Sequence, residues 1–199
     1  MIQGQILPQS LFGGWIKKII TEEKPTTILE IGTWKGLGST KVIIDSIIES
    51  DYKPKFISLE SNRNFYDTAK NNLNSFLNYV DLIYGRIVEK DVVESFVTDN
   101  ILTEEMKVWL KNDLNDYFLC ENILNQIPDN IDFLLLDGGE FSTYSEWNIL
   151  KNRSKIVVLD DTLVLKCKKI REELLNDDNY KLIVDYPSDR NGFSIFRKK

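Results

Sequence analysis

Histidine is absent from the 199 residues. Ser-His-Asp and Cys-His nucleophiles, imidazole acid–base catalysis and histidine-based zinc sites are thereby excluded. Cysteine is scarce: Cys120 and Cys167 stand far apart with no C-x-x-C. That excludes a structural zinc site and reads as two reduced thiols on helices rather than a disulfide framework. Positive charge is in deficit, with 25 Lys plus Arg against 31 Asp plus Glu and a formal charge of −6. A broad phosphate-neutralising surface is not expected, and nucleic acid is disfavoured as the main partner. No apolar run approaches the ~20 residues of a membrane span, and the N-terminus has neither a basic region nor a signal-type apolar core. The expectation is a cytoplasmic protein with no membrane partner. Any catalysis must use carboxylates, Lys, Tyr, a hard metal ion or a reactive cofactor.

No internal repeat and no Pro/Gly/Ser-rich linker divides the chain, and 42% hydrophobic content suffices for one cored domain but is short for two. We read 1–199 as a single unit. Leu11, Phe12, Trp15, Ile16, Ile19 and Ile20 recur at helical spacing and predict an N-terminal helix over about 8–22, despite Gly13 and Gly14, which weaken it by about 1 kcal/mol each. Short apolar runs then alternate with helical patterns. Strands are expected at Ile28–Ile31, Phe56–Leu59, Val80–Tyr84, Ile131–Leu136 and Ile156–Leu159, with helices over Val42–Ile48 and Phe65–Leu77, from Thr143 and from about Val164. Thr143 followed three residues later by Glu146 has the form of a capping box.

Continuously apolar strands such as Phe133-Leu134-Leu135-Leu136 suit a parallel sheet covered on both faces by crossover helices. Lys181–Tyr186 and Gly192–Arg197 both read as strands, joined by so short a link that only an antiparallel hairpin is possible. The predicted fold is a doubly wound, mostly parallel seven-stranded α/β sheet ending in that hairpin. The stretch 89–130 is longer than a crossover requires. It reads as an elaborated crossover forming part of a substrate wall or as a packing helix, through Met106, Trp109, Leu110 and Leu114.

The first strand runs into Gly32-Thr33-Trp34-Lys35-Gly36-Leu37-Gly38 and a helix follows at once. Glycines there permit close ligand approach, and the helix start offers free N–H groups. The second strand ends in Glu60-Ser61, where a carboxylate can accept from both hydroxyls of a ribose. The glycine spacing, with Tyr66 and Lys70, also matches short-chain dehydrogenases. Position argues against that: Tyr66 and Lys70 directly follow Glu60, and a full helix precedes the first strand.

The segment Glu30-Ile31-Gly32-Thr33-Trp34-Lys35-Gly36 resembles motif I, E/D-x-G-x-x-x-G, of the class I S-adenosylmethionine-dependent methyltransferases. The likeness extends over nearly the whole chain: the extra N-terminal helix, Glu60 after strand two, Asp137 after strand four, and the terminal hairpin. It implies S-adenosylmethionine as cofactor. Glu30 and the Gly32–Gly36 backbone, with Thr33 and Trp34, would hold its methionine part. Glu60 and Ser61 would hold the ribose, Gly85 and Arg86 would lie near the adenine, and Asp137 would border the same site.

Strand four ends in Asp137-Gly138-Gly139-Glu140 and strand five in Asp160-Asp161-Thr162. In a parallel sheet these ends share an edge with the glycine loop, and converging carboxylates would raise one another's pKa unless a cation resolved the conflict. The pattern resembles the metal-dependent O-methyltransferases, with Asp137, Asp160 and Asp161 on their metal positions. It implies Mg²⁺ as a candidate second cofactor, with Asp137 and Asp160 serving catalysis. Asp161 replaces the Asn of the catechol-type enzymes, and Glu140 stands where many relatives carry His as a candidate base. Alternative roles stay open: Asp161 or Thr162 as a helix cap, Glu140 as a solvated loop residue. Lys151, Arg153 and Lys155 read as a solvated cluster or as contacts for an anionic substrate. The function expected is O-methylation of a small hydroxylated acceptor, a sugar or natural product. The alternatives are an NAD(P)-dependent oxidoreductase and a non-catalytic cofactor-binding domain.

Overall fold

The computed structural model describes residues 6–98 and 102–199; positions 1–5 and 99–101, at the start of the expected domain and inside its expected crossover, lie outside it. Seven strands form one sheet: β1 (Thr27–Ile31), β2 (Lys55–Glu60), β3 (Asp81–Tyr84), β4 (Ile131–Leu136), β5 (Ser154–Asp160), β6 (Tyr180–Tyr186) and β7 (Phe193–Lys198). Their order is β3-β2-β1-β4-β5-β7-β6. The first five are parallel, and β7 runs antiparallel to both β5 and β6. The predicted topology is thus the one observed.

Seven α-helices are described: α1 (Leu11–Glu23), α2 (Ser39–Glu49), α3 (Arg63–Asn72), α4 (Lys90–Thr98), α5 (Glu104–Leu119), α6 (Thr143–Leu150) and α7 (Leu165–Leu175). They divide between the two faces of the sheet because the pleat sends alternate residues to opposite sides. Ile28, Phe133 and Phe193 pack with Phe12 and Ile16 of α1 and Val42 and Ile43 of α2. Leu29, Leu134 and Val157 pack with Tyr117 of α5, Trp147 of α6 and Ile170 of α7. The long crossover is resolved into α4 and α5, whose Met106, Leu110 and Leu114 lean on the second cluster.

The order reverses at β1, which pairs with β2 on one side and β4 on the other. In open α/β sheets that switch point, at the carboxyl ends of the strands, opens a crevice. Gly32, Asp137 and Asp161 follow strand ends on this edge, and Glu60 is the last residue of β2.

Candidate active site

The loop after β1 is tied to β2 from below and from the side. The N–H groups of Gly32 and Thr33 both donate to the Leu59 carbonyl at 3.0 Å. Trp34, at φ +51°, donates its N–H to Glu60 Oε2 at 2.7 Å, while Asn62 N–H reaches Oε1 at 2.8 Å. Glu60 therefore clamps the loop with one oxygen and the start of α3 with the other. Burial pushes its carboxyl up to about 7, against the pull of those N–H donors.

Glu30 is placed differently from the expectation. The pleat puts it on the Ile28 side of the sheet, fully buried, where its carboxylate accepts from Ser39 Oγ (2.5 Å), Thr40 Oγ1 (2.7 Å) and Ser58 Oγ (2.5 Å). It fastens the first turn of α2 beneath the loop and does not line the cleft. Thr33 is likewise turned inward onto Ser58 at 2.6 Å, and Gly36, at φ +74°, abuts the Leu73 side chain. Glu30, Thr33 and Gly36 shape the loop and are not in the lining of the cleft.

The cleft above these strand ends has a volume of about 500 Å³, within the range of small-molecule sites. Gly32, Trp34, Glu60, Ser61, Gly85, Arg86 and Asp137 line it. Trp34 and Phe65 form an edge-to-face pair in its wall, with centroids 6.1 Å apart. The Arg86 guanidinium is engaged by the Tyr117 and Val88 carbonyls and by Glu89, fixing the β3 end to α5.

The opposite wall was not foreseen in detail. It comes from Asn112, Asp113, Asp116 and Tyr117 on α5 and from Glu146 on α6. Burial raises Asp113 to about 6, with Asp116 and Glu140 adding to the effect. Glu146 corrects the capping-box reading. Ser142 occupies the N-cap position without a side-chain cap bond, and Glu146 points into the interior, accepting from Tyr117 Oη at 3.0 Å. Its Oε2 is buried without a partner, and burial lifts the carboxyl to about 7. Its place between helix positions that bury Thr143, Trp147 and Leu150 is the signal that could have shown this.

The three aspartates converge as expected, one oxygen from each of Asp137, Asp160 and Asp161 falling within 4.8 Å of the others. The cation among them is a side chain. Lys166 Nζ lies 2.6 Å from Asp137 Oδ1 and 2.6 Å from Asp161 Oδ2, with its side chain only 7% exposed. Arg190, from the β6–β7 loop, reaches Asp160 Oδ2 at 3.1 Å. Burial alone would depress the Lys166 ammonium, but Asp137, Asp161 and Asp160 around it hold it above the usual lysine range. Asp160, 2% exposed, is pushed up to about 8 by burial and then by the Asp137 charge.

A divalent ion does not fit these residues as they stand, since Asp137 and Asp161 already share an ammonium and Asp160 is paired with Arg190. Asp160 and Glu140 are also outside the cleft lining. Glu140 accepts the Lys166 backbone N–H at 3.2 Å and so steadies the start of α7. Asp161, at φ +54°, caps no helix: Val164 is the N-cap residue of α7, and Asp161 Oδ1 accepts from Asn191 Nδ2. Lys166 and Arg190 were missed. A lysine in the first turn of a helix, where the dipole disfavours a cation, shortly after an acidic pair, was the available signal.

Lys151, Arg153 and Lys155 are occupied away from the cleft, by Asn148, Asp129 and Asp132. Tyr66 and Lys70 line a separate hollow on the β2–β3 side. Cys120 and Cys167 are buried free thiols. Among the described residues no helix is long and apolar enough to cross a membrane.

No family model matches the chain, and no curated protein sequence does. Solved structures do. An O-methyltransferase from Bacillus cereus in complex with S-adenosylhomocysteine superposes with TM-score 0.61 at 14% identity, covering 94% of this chain and 80% of the other. The S-adenosylhomocysteine-bound Podospora anserina methyltransferase PaMTH1 gives 0.62 at 14%, covering 94% and 77%. The O-methyltransferase TomG of Streptomyces achromogenes, with S-adenosylmethionine bound, gives 0.60 at 15%, covering 94% and 79%. The chain has the class I methyltransferase fold, in the form shared by these O-methyltransferases.

Proposed function

We propose that the cleft binds S-adenosylmethionine and that the protein transfers its methyl group to an oxygen of a small hydroxylated acceptor. The observation that carries this reading is the clamp between Trp34 N–H and Glu60, which sets a carboxylate at the mouth of a glycine turn beside a cleft of about 500 Å³. When bound, the cofactor supplies an electrophilic methyl group on a sulfonium. The chain supplies binding and alignment, which is most of what an in-line transfer requires. Glu60 and Ser61 take the ribose, and the Gly85–Ile87 end of the cleft takes the adenine. Gly32 lets the cofactor approach the strand end.

The acceptor side is bordered by Asp137, Asp161, Lys166 and Arg190. Lys166 donates to two carboxylates, which leaves its third N–H for an oxygen that becomes negative as its proton passes to solvent water. Mg²⁺ has no part in this reading, because the ammonium already neutralises the aspartates that would hold it. The oxidoreductase alternative is disfavoured by the separation of Tyr66 and Lys70 from the cleft.

The test is thermal unfolding with S-adenosylhomocysteine, NAD⁺ and NADP⁺ in parallel. Protection by S-adenosylhomocysteine alone is expected; protection by a dinucleotide alone would overturn the proposal. Methyl-labelled S-adenosylmethionine with a panel of phenols, sugars and hydroxy acids then separates an enzyme, which yields labelled product, from a binding domain, which retains the cofactor unconsumed.

A further inference from the structure

We propose that Lys166 is the resident cation of the Asp137–Asp160–Asp161 cluster, taking the place of a divalent ion and making the site independent of metal. Its occupancy is argued from geometry; only its service to the acceptor oxygen rests on the methyltransferase reading.

Three carboxylates within 4.8 Å of one another would, without a counter-charge, repel strongly. A hard ion held by oxygen ligands is one solution. This chain has another. The Lys166 ammonium stands 2.6 Å from one oxygen of Asp137 and 2.6 Å from one of Asp161, and Arg190 takes the third member, Asp160, at 3.1 Å. Two fixed positive charges thus face three carboxyl groups, each of which already has a cation within hydrogen-bond distance. A divalent ion entering the cluster would have to displace these pairings or sit beside an ammonium at contact range.

The lysine's position is costly in isolation and so calls for a reason. It lies in the first turn of α7, next to the positive end of the helix dipole, and its side chain is almost wholly buried. Both costs are offset by the two carboxylates. The helix start is pinned so that the ammonium cannot swing away: Glu140 accepts the Lys166 N–H, and Cys167 Sγ rests 3.8 Å from the Leu136 carbonyl at the end of β4. An ammonium fixed to the backbone in this way cannot be removed by a chelator.

Manganese provides the probe, because its binding is read without any acceptor. Wild-type protein, Lys166→Met and Lys166→Ala are titrated with Mn²⁺ by paramagnetic resonance and calorimetry, with circular dichroism to show that each is folded. The wild type should bind no Mn²⁺ at millimolar concentration. Both variants should gain a site more than about tenfold tighter, as the oxygens released on Asp137 and Asp161 allow, and Mn²⁺ should raise their unfolding temperature but not that of the wild type. Adding Asp161→Ala to Lys166→Ala should abolish the gain. Wild-type Mn²⁺ binding that Asp160→Ala removes would overturn the proposal, as would folded Lys166 variants with no gain in Mn²⁺ affinity. If the variants do not fold, the wild-type titration alone decides. Failure of the wild type to bind S-adenosylhomocysteine would strike the proposed function instead, leaving the Mn²⁺ results to judge Lys166.

Discussion

Gly32 and Asp137 meet backbone to backbone: a Cβ built on Gly32 would stand 2.2 Å from the Asp137 carbonyl oxygen and 2.8 Å from Gly138 N. Asp137 N–H donates to the Ile31 carbonyl at 2.9 Å, so the loop after β1 and the end of β4 leave the sheet as one unit. The turn at Gly32 has φ +96°, a conformation that side chains strain. Gly32→Ala is therefore expected to lose about 2–3 kcal/mol of stability and to part the loop from Asp137. Chemical denaturation should show the loss, and thermal protection by S-adenosylhomocysteine should vanish with it.

Two adjacent glycines in α1 should respond in opposite directions. A Cβ at Gly13 would lie 2.1 Å from the Leu7 carbonyl oxygen, whereas one at Gly14 would meet nothing within 4 Å. Gly13→Ala should destabilise the protein. Gly14→Ala, at an exposed helical position, should stabilise it by about 0.5–1 kcal/mol through helix propensity. Denaturant midpoints of the two variants check this, and a shift of the same sign in both would contradict it.

Burial holds Glu30, Glu60 and Glu146 near 7, above their ordinary 4.5, and Asp160 near 8, above 3.8. A carboxyl raised in the folded state binds its proton more tightly there. Its contribution to stability is complete below the unfolded value and is lost as pH rises through the folded one. The unfolding temperature should therefore fall between about pH 5 and about pH 8. Glu146→Gln should flatten part of that slope, since Oε2 has no partner to lose. Thermal melts across that range test the sign, and stability rising towards pH 8 would refute it.

The alternation of strands and helices and the closing hairpin were legible because apolar runs on this sheet are buried on both faces. The acidic ends of β4 and β5 were legible because a parallel sheet brings strand ends to one edge. The side-chain roles were less so. Motif reading put Glu30 in the cofactor site, but the pleat puts it on the face of Ile28, the α2 side, into the hydroxyls of Ser39, Thr40 and Ser58. Glu146 imitated a capping box because the same spacing serves a buried carboxylate facing Tyr117. Lys166, within the run Lys166-Cys167-Lys168-Lys169, resembled solvated charge, and only the fold brings Asp137 to it from 29 residues away. Arg190 depended on the hairpin loop folding back over β5, where Thr162 N–H meets the Gly192 carbonyl at 3.0 Å.

Calorimetric titration of S-adenosylhomocysteine into wild type and Glu60→Ala tests most directly whether the crevice beside Glu60 is an S-adenosylmethionine site. Glu60 holds Trp34 N–H and Asn62 N–H and faces the cleft where the ribose is placed. Charge-assisted bonds of this kind contribute about 1.5–3 kcal/mol each, before compensation by water. One site is expected in the wild type, with an affinity weaker by about tenfold or more in a folded Glu60→Ala protein. Equal affinity in the two proteins, or no binding by the wild type, would contradict that expectation.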